Sequence, residues 1–376
     1  MPADQRGMDR DRRNFGLDVM RCIAISCVLT AHGLMLFAEI QPLLRVPIYG
    51  FGVLGVEFFF VLSGFLIGRM LFDVAERRLD VRQFLLRRWF RTLPNYYLFL
   101  AINAVLFHCY LGQPAGNASY MLFAQMLIRP ADSAFFAESW SLAVEEWFYL
   151  LAALVAAGIA CTTSRGRSPL LLIFIAVVCI WPALRAVVAI AGNFEWDAGI
   201  RKVTLLRLDA IAWGVLASYG AKQCAAFWVR LRWIGPVLGC FIAGGCLAWL
   251  LPEALSLAVL SPVGDAHRAL GGSLWFSVLD FALVLTLPGF HQLRPTGGRM
   301  WCAWVGRVSQ WSYALYLVHF PLLLVLMEIL ASNHLEQSPL WALGALVLWL
   351  PMTVCLSMWL FRFYEHPLTN LRERFR

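Results

Sequence analysis

Leu17-Asp18-Val19-Met20-Arg21-Cys22-Ile23-Ala24-Ile25-Ser26-Cys27-Val28-Leu29-Thr30-Ala31-His32-Gly33-Leu34-Met35-Leu36-Phe37-Ala38 is the stretch that decides the fold. It carries one acid and one base near its start, one histidine further along, and is otherwise apolar or small. About 20 such residues, rising 1.5 Å each, cross the hydrocarbon core of a bilayer. A charged stretch over 1–13 precedes it and no small-residue cleavage site follows it. The run is therefore expected to be a retained first span and not a signal peptide.

The rest of the chain has the same character. Of 376 residues, 60% are hydrophobic and 14% are charged. An ordinary soluble chain has roughly 25% charged residues, and this one lacks the polar surface to cover a water-soluble globule. The same composition excludes intrinsic disorder. Long unbroken apolar runs, in place of short alternating segments, exclude a β-barrel. Ten runs are long enough to be spans: 17–38, 48–71, 92–111, 140–160, 169–192, 203–220, 234–251, 273–290, 308–330 and 340–362. The apolar stretch 119–129 is too short to cross and is expected at the interface or re-entering. The expected fold is an all-α polytopic bundle of about ten transmembrane helices, with no soluble appendage, linker or internal repeat.

Charge sets the orientation. The chain has 31 Lys+Arg against 23 Asp+Glu, a formal charge of +8, and only Lys202 and Lys222 are lysines. With the N-terminus inside, the inner segments gather most of the basic residues, including the arginines at 69, 77, 78, 82, 87, 88 and 91. Arg45, Arg129, Arg185, Arg201, Lys202, Arg207 and Arg268 remain outside. This asymmetry predicts both termini in the cytoplasm and explains the basic balance without nucleic acid. The tails 1–16 and 368–376 would then flank one membrane domain, 17–367. Ten scattered cysteines without a CxxC pair suggest neither a disulfide framework nor a metal site.

Several polar residues sit where hydrocarbon penalises them. Arg21 and His32 are eleven residues apart, three helical turns, so they share a face about 16 Å apart along the axis. Ser63-Gly64 lies in Phe59-Phe60-Val61-Leu62-Ser63-Gly64-Phe65-Leu66-Ile67, where the glycine permits close helix contact and the serine offers a small donor. Arg82, Arg87, Arg88 and Arg91 stand at the inner mouth before span three, with Pro94 placed in its first turn. Arg88 and Arg91 are at i and i+3 and present two guanidinium forks on one face, a geometry suited to phosphate. Read alone, this cluster also suits a cap on anionic lipid. Glu138, Ser141, Glu145 and Tyr149 share a stripe at the head of span four, beside Glu146. Two adjacent carboxylates there are costly without a task, and one of them could orient a histidine. Arg207 and Asp209 cannot share a helix face, so each meets a neighbour or a polar ligand. Tyr313, Tyr316, His319 and Pro321 fall together in span nine, where a histidine packed beside a proline kink is an ordinary structural feature.

Taken in order, these pieces resemble the acyltransferase 3 family of integral membrane acyltransferases, which includes bacterial surface-glycan O-acetyltransferases. The resemblance rests on Arg21-x10-His32, Phe59 to Ile67, Arg88-x2-Arg91 and Ser139-Trp140-Ser141-Leu142-x2-Glu145-Glu146. It also rests on Arg207-x-Asp209 with Gly214, Tyr313-x2-Tyr316-x2-His319-x-Pro321 and Tyr364-Glu365-x-Pro367. It implies a multi-pass protein of the bacterial inner membrane that moves an acyl group, usually acetyl, from cytoplasmic acyl-coenzyme A to a hydroxyl. His32 matches the family's essential histidine, Arg21 its paired arginine, and Arg88 and Arg91 the arginines linked with the coenzyme. No fused extracellular domain of the kind some members carry is expected here, and any transfer that relies on one would then need a separate partner.

On this basis His32 is the expected general base or acyl carrier, oriented by Glu145 or Glu146. Arg21, Arg87, Arg88, Arg91 and Ser63 are expected to hold acetyl-coenzyme A. Ser141, Arg207, Asp209 and Tyr316 are expected to meet the acceptor, with the outer loops 112–138 and 252–272 shaping its pocket. No metal is expected. An exopolysaccharide or lipid-linked repeat unit is the first candidate acceptor, and a macrolide or other small metabolite the second. A transporter or flippase for a glycan, or a membrane scaffold, are the rival readings. Apolar outer faces suit lipid or a second copy of the chain.

Overall fold

The computed structural model describes residues 14–129, 135–163, 166–191, 196–249, 274–295 and 298–371. The basic N-terminal tail, the outer loop 252–272, Arg165 and the last arginines lie outside the described residues. All regular structure among those described is helical.

Each expected span falls on one helix. The ten are α1 (Phe15–Leu34), α2 (Arg45–Ala75), α3 (Val81–Val105), α4 (Ser139–Thr162), α5 (Arg167–Ala191), α6 (Leu208–Gln223), α7 (Ala225–Trp249), α8 (Phe276–His291), α9 (Arg299–Ser332) and α10 (Pro339–Leu360). Seven of the described helical stretches are long and apolar enough to cross a membrane, counting α1, α2, α4, α5, α7, α9 and α10. The fold is an all-α polytopic membrane protein. The stretch 119–129 does not cross: Ala118–Leu122 forms a single 3₁₀ segment, and Phe123 turns the chain at φ 55°.

Two boundaries differ from expectation. The expected span at 92–111 begins eleven residues earlier, at Val81, because the Asp80 side chain caps the backbone N–H of Arg82 at 3.0 Å. The arginines are therefore inside α3, and Pro94 lies in its interior and not in its first turn. The sixth helix starts at Leu208 and not near 203. Thr204 and Leu205 instead donate their backbone N–H groups to the carbonyls of Met126 and Leu127, at 2.8 and 3.2 Å, which docks the preceding turn on the outer loop.

α2 is the central element, packed against α1, α4 and α6, while α1 also packs along α9. Gly64 and Gly214 make the α2–α6 approach possible. A Cβ at Gly64 would stand 2.0 Å from the Ile211 carbonyl oxygen, and one at Gly214 would stand 2.1 Å from that of Val61. Small residues at such a crossing let backbones meet in a medium that supplies no hydrophobic drive between helices. Large side chains such as Ile180, Val187, Val237, Phe241 and Leu348 are exposed on α5, α7 and α10, as a lipid-facing surface requires.

Arg207 and Asp209 were expected to meet the acceptor, and the structure places them elsewhere. Arg207 donates to Glu57 on α2 at 2.5 Å. Asp209 accepts both terminal nitrogens of Arg185 on α5, at 2.6 and 2.8 Å, and the Ser277 hydroxyl of α8 at 2.7 Å. All four charged side chains are fully buried. With its two oxygens filled this way, Asp209 joins α5, α6 and α8. A buried charge is tolerated only when a partner answers it, and here the partners belong to the chain.

Candidate active site

The site grows from the contact between α1 and α9. At its lower level, Arg21 donates to the Ser309 hydroxyl at 2.9 Å, and that hydroxyl donates to Asp18 at 2.6 Å. At its upper level, Nδ1 of His32 lies 2.8 Å from Nε2 of His319. Nδ1 of His319 lies 3.0 Å from the Leu315 carbonyl oxygen. Phe320 sets its ring edge-on to His32, with centroids 5.0 Å apart. The imidazole of His32 therefore points into protein, not lipid.

Between these levels runs a narrow cavity of ≈ 80 Å³. Arg21, Arg88 and Arg91 line one part of it, Ser63, Glu145 and Tyr149 its wall, and Ser141 and Tyr316 another part. Tyr316 continues to the histidines, its ring centroid 5.8 Å from that of His319. The Arg88 guanidinium lies over the Tyr149 ring at 5.3 Å. Arg88 and Arg91 make no ion pair with a described residue; both line the cavity, and the fields of Glu145 and Glu146 reach Arg88. Arg87 does not line it.

The two carboxylates do other work than expected. Glu145 accepts from the Tyr149 hydroxyl at 3.2 Å, and that hydroxyl is also hydrogen-bonded to Ser63. Glu146 accepts from the Thr92 hydroxyl at 2.6 Å. Neither meets His32; the hydrogen-bond partner of His32 is a second imidazole. The physical reason is position. Glu145 and Glu146 lie about two turns into α4, where Thr92 of α3 meets Glu146 and the Arg88 guanidinium covers Tyr149, so they stand beside the arginines of α3 and not beside the histidines. Ser141, one turn nearer the start of α4, does reach that level and shares a 2.6 Å hydrogen bond with the Tyr316 hydroxyl.

Several residues of the site had no assigned role. His319 lay in the motif of span nine, but nothing in the pattern pairs it with His32. Asn95 donates to Glu365 at 3.0 Å, which ties the end of the chain to α3. Glu138 is the most unusual. Both its carboxylate oxygens are buried and have no hydrogen-bond partner among the described residues. Lying just before α4, its carboxyl is pushed up to about 8 by burial.

A second, larger cavity of ≈ 940 Å³ opens beyond the far end of α1. Met35 and Leu36 border it one turn past His32, together with Gln113 to Asn117, Gln125 and, from α9, Glu328. The loop expected to shape an acceptor pocket, 112–138, supplies part of this cavity through residues between Gln113 and Gln125.

A family model described as an acyltransferase domain matches residues 14–362. A protein of Bacillus subtilis (strain 168), YrhL, named as a candidate peptidoglycan O-acetyltransferase, is 31% identical over 153 residues, which are 36% of this chain and 22% of that protein. The peptidoglycan O-acetyltransferase OatA of Listeria monocytogenes serovar 1/2a (strain ATCC BAA-679 / EGD-e) is 30% identical over 152 residues, 36% of this chain and 23% of that protein. The matched stretch thus spans less than a quarter of either relative. No solved structure gives a significant match.

Proposed function

Because the chain belongs to the acyltransferase 3 family, whose domain covers residues 14–362, we propose that it is a membrane O-acetyltransferase that uses acetyl-coenzyme A from the cytoplasm. The observation that carries this reading is the line of polar groups along one cavity, from Arg21, Arg88 and Arg91 to Tyr316, whose ring stands 5.8 Å from that of His319 in the histidine pair. The donor has a polyanionic nucleotide and a long, nearly neutral arm ending in a thioester. Arg88 and Arg91 would hold the phosphates by bidentate hydrogen bonds at the inner mouth. The roughly 16 Å between the Arg21 and His32 levels is of the order such an arm spans.

The acceptor would enter from the second cavity. Amides and carboxylates line it, side chains that serve sugar hydroxyls well, and a glycan, free or lipid-linked, is the proposed acceptor. Both named relatives carry peptidoglycan O-acetyltransfer in their names, which supports a cell-surface glycan here. His32 takes the hydroxyl proton as general base; the alkoxide oxygen attacks the thioester carbonyl, the C–S bond breaks, and the thiolate leaves with the proton. Transfer through an acetyl-imidazole on His32 is the two-step version of the same chemistry.

The experiment is to incubate the purified chain with radiolabelled acetyl-coenzyme A and a glycan acceptor and to measure coenzyme release and label on the glycan. Mass spectrometry of surface glycan from a deletion strain, searched for the loss of one acetyl group, identifies the natural acceptor. Movement of glycan across the membrane without coenzyme consumption would replace the enzyme with a transporter.

A further inference from the structure

The buried histidine of α9 is the group that no assignment uses. His319 is fully buried, in the interior of a 34-residue helix. Its main chain is fixed from outside, because the Trp349 indole donates to its carbonyl oxygen at 2.9 Å. Its ring makes two hydrogen bonds in line, one to the Leu315 carbonyl and one to His32. No carboxylate hydrogen-bonds either ring among the described residues. The charged side chains whose fields reach His32 are Arg201 and Lys202, and both are paired with Asp197.

The tautomers follow from these contacts. A carbonyl oxygen only accepts, so Nδ1 of His319 must carry a hydrogen. In the neutral ring, Nε2 of His319 then has a lone pair and only accepts. The 2.8 Å contact therefore needs a hydrogen on Nδ1 of His32. That leaves Nε2 of His32 with the lone pair.

We propose that His319 is a positioning residue that locks His32 in its Nδ1–H tautomer, so that Nε2 is the atom that acts on the acceptor hydroxyl or carries the acetyl group. The inference rests on the reading of His32 as the reacting histidine. It applies to both routes, because base and nucleophile need the same lone pair. When Nε2 of His32 takes the proton, the imidazolium keeps its Nδ1–H bond to Nε2 of His319. A neutral imidazole thus stands where many hydrolases place a carboxylate. It fixes the ring as a carboxylate would. It stabilises the charged form less, which suits a proton that must be returned to the leaving thiolate.

The test has two arms on the full chain in lipid nanodiscs. In the first, the protein is labelled with ¹⁵N-histidine and the His32 signals are identified by their loss in His32→Gln. The expected spectrum shows Nδ1 of His32 protonated and Nε2 bare at neutral pH; a protonated Nε2 would overturn the proposal. In the second, coenzyme release is followed against pH for the wild type, His319→Ala and His319→Gln. The amide oxygen of Gln can stand where Nε2 of His319 accepts. His319→Ala should lower kcat about 100-fold with the KM for acetyl-coenzyme A unchanged, shift the pH profile, and let His32 sample both tautomers. His319→Gln should restore most of kcat. Wild-type kcat in His319→Ala, or a Gln variant no better than Ala, would refute the role. If His319→Ala does not fold, the tautomer of the wild-type protein still decides. If the wild type itself releases no coenzyme, the functional reading fails while the spectrum reports on the pair independently.

Discussion

Nη1 of Arg21 donates to the hydroxyl of Ser309 at 2.9 Å. Eleven residues along α1 from Arg21 stands His32; ten residues along α9 from Ser309 stands His319, and these two meet at 2.8 Å. Nearly equal steps in the same chain direction mean that α1 and α9 run parallel. The Arg21 and His32 levels are therefore fixed relative to each other by two helices, and their separation does not depend on a loop. The proposed donor, anchored at one level, would present its thioester at a set height.

Removing the imidazole of His32, proposed to react, should abolish transfer without unfolding the protein. His32→Ala is expected to lower coenzyme release by at least the 10²–10⁴-fold, roughly, that a positioned general base supplies. The variant should still extract and elute as the wild type does. Wild-type turnover in it would remove His32 from the chemistry.

The guanidinium pair should act on the donor alone. Arg88→Ala and Arg91→Ala each remove charge-assisted hydrogen bonds worth about 1.5–3 kcal/mol, so the KM for acetyl-coenzyme A should rise about tenfold or more. The KM for the acceptor should not move. Donor affinity equal to the wild type would leave these arginines as markers of topology only.

Arg207 should behave as a structural residue. Arg207→Met strands Glu57 in a fully buried position, a change that costs about 3–5 kcal/mol when one partner of a buried pair is lost. The expected result is a large fall in Tm, with an unchanged acceptor KM in whatever protein folds. A raised acceptor KM at wild-type Tm would return Arg207 to the acceptor site.

The glycine crossing should be intolerant of a single methyl group. Gly64→Ala brings Cβ to 2.0 Å from a backbone carbonyl, which cannot swing away as a side chain would. Overpacking of this kind costs about 1–3 kcal/mol, readable as lower Tm and lower yield. Wild-type stability would show that α2 and α6 sit further apart.

Glu138 should give stability a pH dependence of definite sign. Its carboxyl titrates near 8 in the folded chain and at 4.5 by the ordinary value, so the folded state holds the proton more tightly. Stability from this group is full below 4.5 and is lost as the pH rises through 8. Glu138→Gln should flatten the fall in Tm over that window. An equally steep fall in the variant would mean that Glu138 is ionised and has a partner.

Much of this molecule was readable from the chain alone. Runs such as 17–38 and 308–330 announce spans because apolar length is a local property. Ser63, Ser141, Tyr316, Arg21, Arg88 and Arg91 were expected around the donor or acceptor, and the fold brings all six to one cavity. The sequence failed where charge interrupted the apolar signal: the span was expected to begin at 92, after the arginines, although Asp80 caps a helix that includes them.

Partners are what the sequence by itself left open. A buried charge or imidazole states that something must answer it, but the answering group is chosen by packing between helices remote in the chain. Glu145 and Glu146 looked suited to orient His32, yet α4 holds them at the arginine level. Arg207 and Asp209 looked suited to a ligand, yet Glu57 and Arg185 take them. His32 and His319, 287 residues apart, meet only because α1 and α9 lie side by side. Local hydrophobicity determined the helices; the register between them decided which polar groups touch.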